Sequence, residues 1–123
     1  MKQQYLIKSA ALIWLITILY FSLKPEVEIP ISLRIEYIDK LLHIAAYGLA
    51  TILALLAYKN VNQKVSVILL FGLGFFIEIM QLFVVNRHFE LTDLLANLCG
   101  IVLSYYLFNY YHQRYHSNNK NSI

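Results

Sequence analysis

Four long stretches without charged side chains dominate the sequence and limit the folds that the chain can adopt. They cover residues 9–23, 41–58, 65–85, which Glu78 alone interrupts, and 94–113. Each approaches the length of about 20 residues that a helix needs to cross a hydrocarbon core. Inside lipid the backbone must satisfy its own hydrogen bonds, which favours helices for such stretches. We therefore predict an all-α integral membrane bundle of four transmembrane helices, at about 6–23, 41–58, 65–85 and 94–113.

The composition agrees with a membrane protein and excludes several other classes. Hydrophobic residues make up 59% of the chain and charged residues 14%, whereas about a quarter of the residues in soluble domains are charged. Cys99 is the one cysteine, so an intrachain disulfide and a CxxC site are excluded. The net charge is +3, but the basic residues form no patch that would bind nucleic acid. We expect a single domain over residues 1–123, whose first helix is not removed as a signal peptide.

The distribution of basic residues predicts the orientation in the cell membrane. Lys2, Lys8, Lys59, Lys64, Arg114 and Lys120 lie on one side of the predicted bundle, and Lys24, Arg34, Lys40 and Arg87 lie on the other. Because the side with more Lys and Arg faces the cytoplasm, we expect both termini there. The loops at 24–40 and 86–93 would then face outward.

Polar side chains on three predicted helices lie at similar depth. With a rise of 1.5 Å per residue, His43, Glu78 and Asn97 lie about 4 to 10 Å from the midplane, on the same side. Residues three or four apart share a helix face, which groups Asp39 with His43 and Tyr47, Glu78 with Gln81, and Asp93 with Asn97. We predict that these three faces meet in one site, extracytoplasmic in the orientation given above.

Each of these residues also has a structural interpretation. The two aspartates could be first-turn acids that the helix dipole favours, His43 a packed interior histidine, and Tyr47 a core residue. Gln81 and Asn97 could join helices by hydrogen bonds. Glu78 differs, because an acid within a span costs about 2.5 to 3.5 kcal/mol on insertion scales and usually marks a functional site.

Arg87 lies in the predicted loop beside these faces. Its forked guanidinium group is suited to a carboxylate or a phosphate, which makes it a candidate ligand-binding residue. A salt bridge to Asp93 or Glu90 is the structural alternative.

The spacing of these residues resembles a known family. The second helix carries Asp39-Lys40-x-x-His43-x-x-x-Tyr47, and the next two carry Gly74-x-x-x-Glu78-x-x-Gln81-x5-Arg87-x5-Asp93-x-x-x-Asn97-x-x-Gly100. This pattern, over about 39–104, resembles the VanZ-like family of small bacterial membrane proteins. Family members often have a further glycine where this chain has Ser104. The resemblance implies a four-span bundle and, for the founding member, reduced sensitivity to teicoplanin-type lipoglycopeptides.

Three function classes fit the predicted site. The first is an envelope protein that binds or modifies lipid-linked or lipid-tailed molecules in the outer leaflet. Its partners would be membrane lipids and a lipid-linked precursor or lipoglycopeptide. The second is a membrane hydrolase or transferase acting on a lipid head group, with Glu78, His43 or Asp93 as catalytic candidates. The third is a proton-coupled carrier, which no broken helix or inverted repeat supports.

The sequence gives little indication of a metal or cofactor. A metal site would draw on His43, Glu78 and one of the aspartates, but the chain has no HExxH-like spacing. We therefore predict neither a bound metal nor a cofactor.

Overall fold

The structure is a computed structural model that describes residues 1–26 and 36–122, with the backbone alone at residue 36. It contains four helices, α1 (Lys2–Leu23), α2 (Glu36–Ala57), α3 (Gln63–Gln81) and α4 (Leu91–Asn121), and these described residues form no strand. Each helix is long and apolar enough to cross a membrane. The predicted all-α bundle of four transmembrane helices is confirmed.

The helix ends differ from the limits of the apolar stretches. The third stretch was expected to remain helical to residue 85, but α3 ends at Gln81. The next three backbone N–H groups bond to carbonyls only three residues earlier, which tightens the chain into turns. Asn86 then adopts a φ of 60°, a left-handed conformation in which asparagine is enriched. Hydrophobicity therefore predicts which residues enter lipid better than it predicts where a helix stops.

Several other ends extend beyond their apolar stretches. α1 begins at Lys2, α2 at Glu36, and α4 runs from Leu91 to Asn121 rather than from 94 to 113. At 1.5 Å per residue, the 31 residues of α4 measure about 46 Å, more than a hydrocarbon core requires. Its polar last turns therefore project from the bundle.

Two glycines allow α2 and α4 to pack closely. A Cβ on Gly100 would collide with the carbonyl oxygen of Ile44, and one on Gly48 would lie 2.8 Å from Ser104 Oγ. Small residues at such crossings let helix backbones approach one another within lipid. α2 contacts all three other helices, most extensively α4. The pair of α2 and α4 is thus the framework that positions the polar residues.

The interior and the outer surface of the bundle are both largely apolar. Ile18, Tyr47, Leu70, Ile77 and Ile101 belong to one buried cluster that draws on all four helices. Large apolar side chains also cover the outside, where Leu12, Ile68 and Leu103 are each more than half exposed. An exposed apolar surface this extensive indicates contact with lipid rather than water.

The C-terminal ends of α1 and α3 and the N-terminal ends of α2 and α4 lie at the same end of the bundle, which we call the site end. The prediction that it faces outward can be tested by thiol labelling. In a Cys99→Ala background, a cysteine at His88, in the α3–α4 loop, should react with an impermeant reagent added outside intact cells. A cysteine at Asn60, in the α2–α3 loop, should react only after the membrane is opened. The reverse order would place both termini outside.

Candidate functional site

A hydrogen bond between α2 and α4 fixes the ring of His43. Its Nδ1 lies 2.8 Å from Oδ1 of Asn97. Because an amide oxygen only accepts hydrogen bonds, Nδ1 carries the proton and donates it to Asn97. The other ring nitrogen, Nε2, then faces two carboxylates, at 3.7 Å from Asp93 Oδ2 and 4.0 Å from Asp39 Oδ1. The histidine is therefore held with one defined nitrogen directed at the acidic pair.

Lys40 joins the same acids from the other side. Its Nζ bonds to Asp93 Oδ1, lies 2.8 Å from Glu90 Oε2, and lies 3.6 Å from Asp39 Oδ2. The sequence analysis assigned neither Lys40 nor Glu90 to the site. The sequence contained a signal for both. Lys40 directly follows Asp39, and Glu90 is three residues before Asp93. Lys40 holds the carboxylates of Asp39 and Asp93 in place while leaving one oxygen of each toward His43.

Glu78 lies beneath this network in the bundle interior. It is 1% exposed, and its Oε2 accepts a long hydrogen bond, 3.5 Å, from the backbone N–H of Glu90. Its carboxyl group interacts electrostatically with Asp93 and His43, and also with the buried Tyr47. Glu78 therefore faces the other polar residues rather than lipid.

Gly74 allows α3 to reach this interior position. A Cβ at Gly74 would lie 3.1 Å from the Tyr47 ring and 3.3 Å from Asn97 Nδ2. Gly74 is one turn before Glu78 on α3, so the missing side chain brings the helix close to both α2 and α4. Gly74 thus brings α3, which carries Glu78, against the helices that carry His43 and Asn97.

Gln81 and Arg87 hold the end of α1. Gln81 Nε2 donates to the carbonyl of Ser22 at 3.0 Å. Arg87 donates from Nη2 to the carbonyl of Phe21 at 2.9 Å and from Nε to that of Lys24 at 3.2 Å. The carbonyls of Phe21 and Ser22 belong to the last turn of α1, and Lys24 is the capping residue that follows it, so no intrahelical donor is available to them. Neither the alternative salt bridge of Arg87 to Asp93 nor the one to Glu90 is formed among the described residues.

Arg87→Met should therefore loosen α1. Loss of two charge-assisted hydrogen bonds that are partly open to solvent is expected to cost about 1 to 2 kcal/mol and to lower Tm by about 3 to 8 °C. Lys24→Met is the control, because among the described residues its ammonium group contacts the face of Phe21 and no carboxylate, and its backbone carbonyl remains. Thermal unfolding of both variants in detergent tests this. Equal Tm values for Arg87→Met and the parent would show that these bonds do not stabilise α1.

A cavity of about 510 Å³ lies between α1 and α2 and opens beside the site. Lys24, Asp39, His43 and Arg87 line its polar part. Trp14 and Leu49 line an apolar part. Because Trp14 is ten residues before Lys24, it lies about 15 Å deeper in the bundle than Lys24 does. Leu49 is 41% exposed, so the apolar part reaches the lipid-facing surface. The cavity could therefore hold a polar head and an attached chain at once.

Trp14 is a cavity residue that the sequence analysis did not include. Its Nε1 donates to the carbonyl of Ala46 at 2.9 Å, which joins α1 to α2 below the site end. Its status as the single tryptophan was a weak signal, because tryptophan in a membrane helix is common without a binding role.

The structure brings the sequence-predicted residues into two groups. The first group lies at the site end between α2, α3 and α4, with Asp39 exposed at its rim and the others buried or half-buried: Asp39, His43, Tyr47, Glu78, Asp93 and Asn97. Gln81 and Arg87 lie at the junction with α1 and also line the cavity. Chemically, the first group offers an oriented imidazole nitrogen beside carboxylates, and the second offers cationic and amide donors at a lipid-accessible cavity.

The comparisons with known proteins extend the similarity beyond the site. The VanZ/LLP1 family profile matches residues 3–112, which include all of α2 and α3 and most of α1 and α4. No curated protein and no solved structure matches the chain. The match covers far more than half of the sequence, including every residue of the site described above, and the chain belongs to the VanZ/LLP1 family.

Proposed function

We propose that this VanZ-like envelope protein binds a lipid-linked or lipid-tailed molecule in the cavity between α1 and α2, in the outer leaflet of the cell membrane. By holding or modifying such molecules it would alter sensitivity to teicoplanin-type lipoglycopeptides. The observation that carries the proposal is the cavity itself, which is polar near the site end and apolar toward the membrane interior.

The apolar part suits a hydrocarbon chain. Trp14, Ile18 and Leu49 line it, and Leu49 is open to the surrounding lipid. A chain could enter sideways from the bilayer without first passing through water. Such lateral access matches a ligand that is already a membrane component.

The polar part suits an anionic head group. The ammonium group of Lys24 has no carboxylate partner among the residues that the structure describes, and it lies 5.1 Å from the centre of the Phe21 ring. Arg87 uses Nε and Nη2 for α1, which leaves Nη1 as a donor for a ligand. Two cations beside a hydrophobic channel favour a phosphate or carboxylate on a lipid.

A cavity-filling substitution tests the proposal. Ala45 lines the cavity and is exposed toward it, so Ala45→Phe should occupy part of the volume without disturbing the core. We expect phosphatidic acid, measured by native mass spectrometry of the full-length protein, to bind about tenfold more weakly or worse, a loss of about 1.4 kcal/mol.

Ala10→Phe is the matched control, since Ala10 is exposed on α1 outside the cavity. Diacylglycerol, which has the tails without the phosphate, and inorganic phosphate, which has no tail, should both bind the parent more weakly than phosphatidic acid. Equal binding of phosphatidic acid and diacylglycerol, or an unaffected Ala45→Phe variant, would contradict the proposal.

A second candidate function is a hydrolase or transferase acting on the head group. The observation that favours it is the fixed orientation of His43, whose Nδ1–H is bound by Asn97 while Nε2 remains directed at the acids and at the cavity. An imidazole held in one tautomer is the usual arrangement for a general base. Release of a soluble head group from a labelled lipid, lost in His43→Gln with lipid binding retained, would distinguish catalysis from binding.

A further inference from the structure

We infer that Asp39, His43 and Asp93 bind one divalent transition-metal cation at the site end. The inference rests on the proposed function for the anionic head group that the cation would hold. Cation binding itself does not depend on the proposed function. It draws on a different set of residues from the one that the sequence suggested, since Glu78 is not among the ligands.

The three side chains present their donor atoms at nearly the spacing that a cation needs. One ligand atom from each residue lies within 4.8 Å of the other two. Around a bound ion at about 2.0 to 2.2 Å, neighbouring ligand atoms are about 3 to 3.5 Å apart. The distances of 3.7 and 4.0 Å from His43 Nε2 to the two aspartates exceed this spacing by about 0.2 to 1 Å, a difference that small side-chain movements can close.

Asn97 prepares the histidine for this role. A histidine that binds a metal through one nitrogen generally donates its other N–H to an oxygen, which fixes the ring and the tautomer. His43 donates Nδ1–H to Asn97, so its Nε2 lone pair is directed at the two carboxylates. A lone pair beside two anionic oxygens is unfavourable unless a proton or a cation lies between them.

Lys40 supports the site rather than filling it. Its ammonium group contacts Asp93 Oδ1 and approaches Asp39 Oδ2. The oxygens nearest His43 are the other two, Asp93 Oδ2 and Asp39 Oδ1. Hydrogen bonds to the second oxygen of a ligating carboxylate are a common feature of metal sites. Lys40 therefore orients both aspartates and leaves a ligand atom on each.

The donor set and the cavity indicate the kind of cation and its use. One imidazole nitrogen with two carboxylate oxygens suits Zn²⁺ or Mn²⁺ better than Ca²⁺ or Mg²⁺, which prefer oxygen ligands alone. Asp39 and His43 line the cavity, so coordination positions left open by three protein ligands would face it. A phosphate on the lipid proposed above would complete the coordination there.

The test is Mn²⁺ binding to the full-length protein after treatment with a chelator. The parent protein for this test and all its variants carry His112→Gln and His116→Gln. These two exposed rings lie 4.5 Å apart on α4 and could bind a metal by themselves. We expect one Mn²⁺ per chain in titrations followed by electron paramagnetic resonance. Pulsed measurements should show coupling to an imidazole nitrogen, a signal that carboxylates or lipid phosphates alone do not give.

Variants separate the cation site from general charge effects. Asp39→Asn changes a largely exposed side chain and should weaken Mn²⁺ binding at least tenfold without affecting folding. His43→Gln should remove the nitrogen signal, and Asn97→Leu should weaken binding by about 10- to 100-fold through the loss of His43 orientation. His88→Gln, an exposed histidine at the same end, should change none of these results.

The inference would be overturned by no saturable Mn²⁺ or Zn²⁺ binding in the parent, or by equal binding in Asp39→Asn and His43→Gln. Binding that appears only in Lys40→Met would also overturn it, because Lys40 would then be the cation for which the acids are arranged. Phosphatidic acid binding, measured once with chelator and once with saturating Mn²⁺, distinguishes the two proposals. If the lipid binds and Mn²⁺ does not, the cation inference alone fails, and if Mn²⁺ binds and the lipid binds in neither condition, the proposed function alone fails.

Discussion

Replacing Gly100 with valine is expected to prevent most of the protein from folding, whereas the same change at Gly72 should leave the folded yield nearly unchanged. A Cβ at Gly100 would overlap the carbonyl oxygen of Ile44, lie 3.0 Å from its carbonyl carbon, and lie 3.1 Å from the backbone nitrogen of Gly48. All three are backbone atoms of α2, which cannot move aside as a flexible side chain can. The expected cost is about 3 kcal/mol or more, a large part of a typical stability of about 5 to 15 kcal/mol.

Gly72 supplies the matched control. It is also within a membrane helix, but a Cβ there would have no neighbour within 4 Å in the described part of the chain. Both substitutions place the same β-branched residue in a helix, so differences in helix propensity cancel. Size-exclusion chromatography of detergent extracts and thermal unfolding give the folded yield and Tm. Equal behaviour of the two valine variants would show that close approach of α2 and α4 is not required.

The same contact explains why the fold and the site depend on each other. Gly100 is three residues after Asn97, and Ile44 directly follows His43. A side chain at Gly100 would push apart the two helices that carry the hydrogen bond between His43 and Asn97. The milder variant Gly100→Ala should therefore affect binding at the site even in the fraction that folds.

Much of the fold followed from the sequence, because the bilayer imposes a simple rule on length and charge. Four uncharged stretches required four helices, and the i+3 and i+4 spacings placed His43, Glu78 and Asn97 on inward faces. Helix ends were less predictable. Apolar residues such as Leu82 and Phe83 remain in lipid or at its surface whether or not they are helical, so their hydrophobicity does not locate the end of α3.

The contacts between side chains on different helices could not be predicted from the spacing of residues along each helix. Spacing along a helix gives depth and face, but it does not give the rotation of one helix relative to another. Lys40 reaches Glu90 over 50 positions, and Arg87 reaches Phe21 over 66. Only the assembled bundle shows that Arg87 caps α1 or that Trp14 borders a cavity.

If the protein acts on a lipid head group, Glu78→Gln is expected to remove that activity while leaving the bundle folded. Glutamine has nearly the same size as glutamate, and its side-chain oxygen can still accept the hydrogen bond from Glu90 N–H. What it loses is the charge or proton that interacts with Asp93 and His43. If this group takes part in proton transfer, the rate of any head-group reaction should fall about 100-fold or more, and protection against a teicoplanin-type lipoglycopeptide should fall with it.

A structural Glu78 and a functional Glu78 lead to different expected results for this substitution. A neutral amide can join helices within lipid at lower cost than a carboxyl group, and Gln81, three residues later on α3, already does so through Ser22. A purely structural Glu78 would therefore be replaced by glutamine with equal or greater Tm and with full protection. The control is Glu26→Gln, the same chemical change three residues after α1 and outside the cavity lining. Membrane yield, Tm and antibiotic sensitivity are measured together in cells where the parent protein gives protection. Full protection by Glu78→Gln would exclude an ionisable role for this position and leave the cavity, with His43 and its two aspartates, as the proposed binding site.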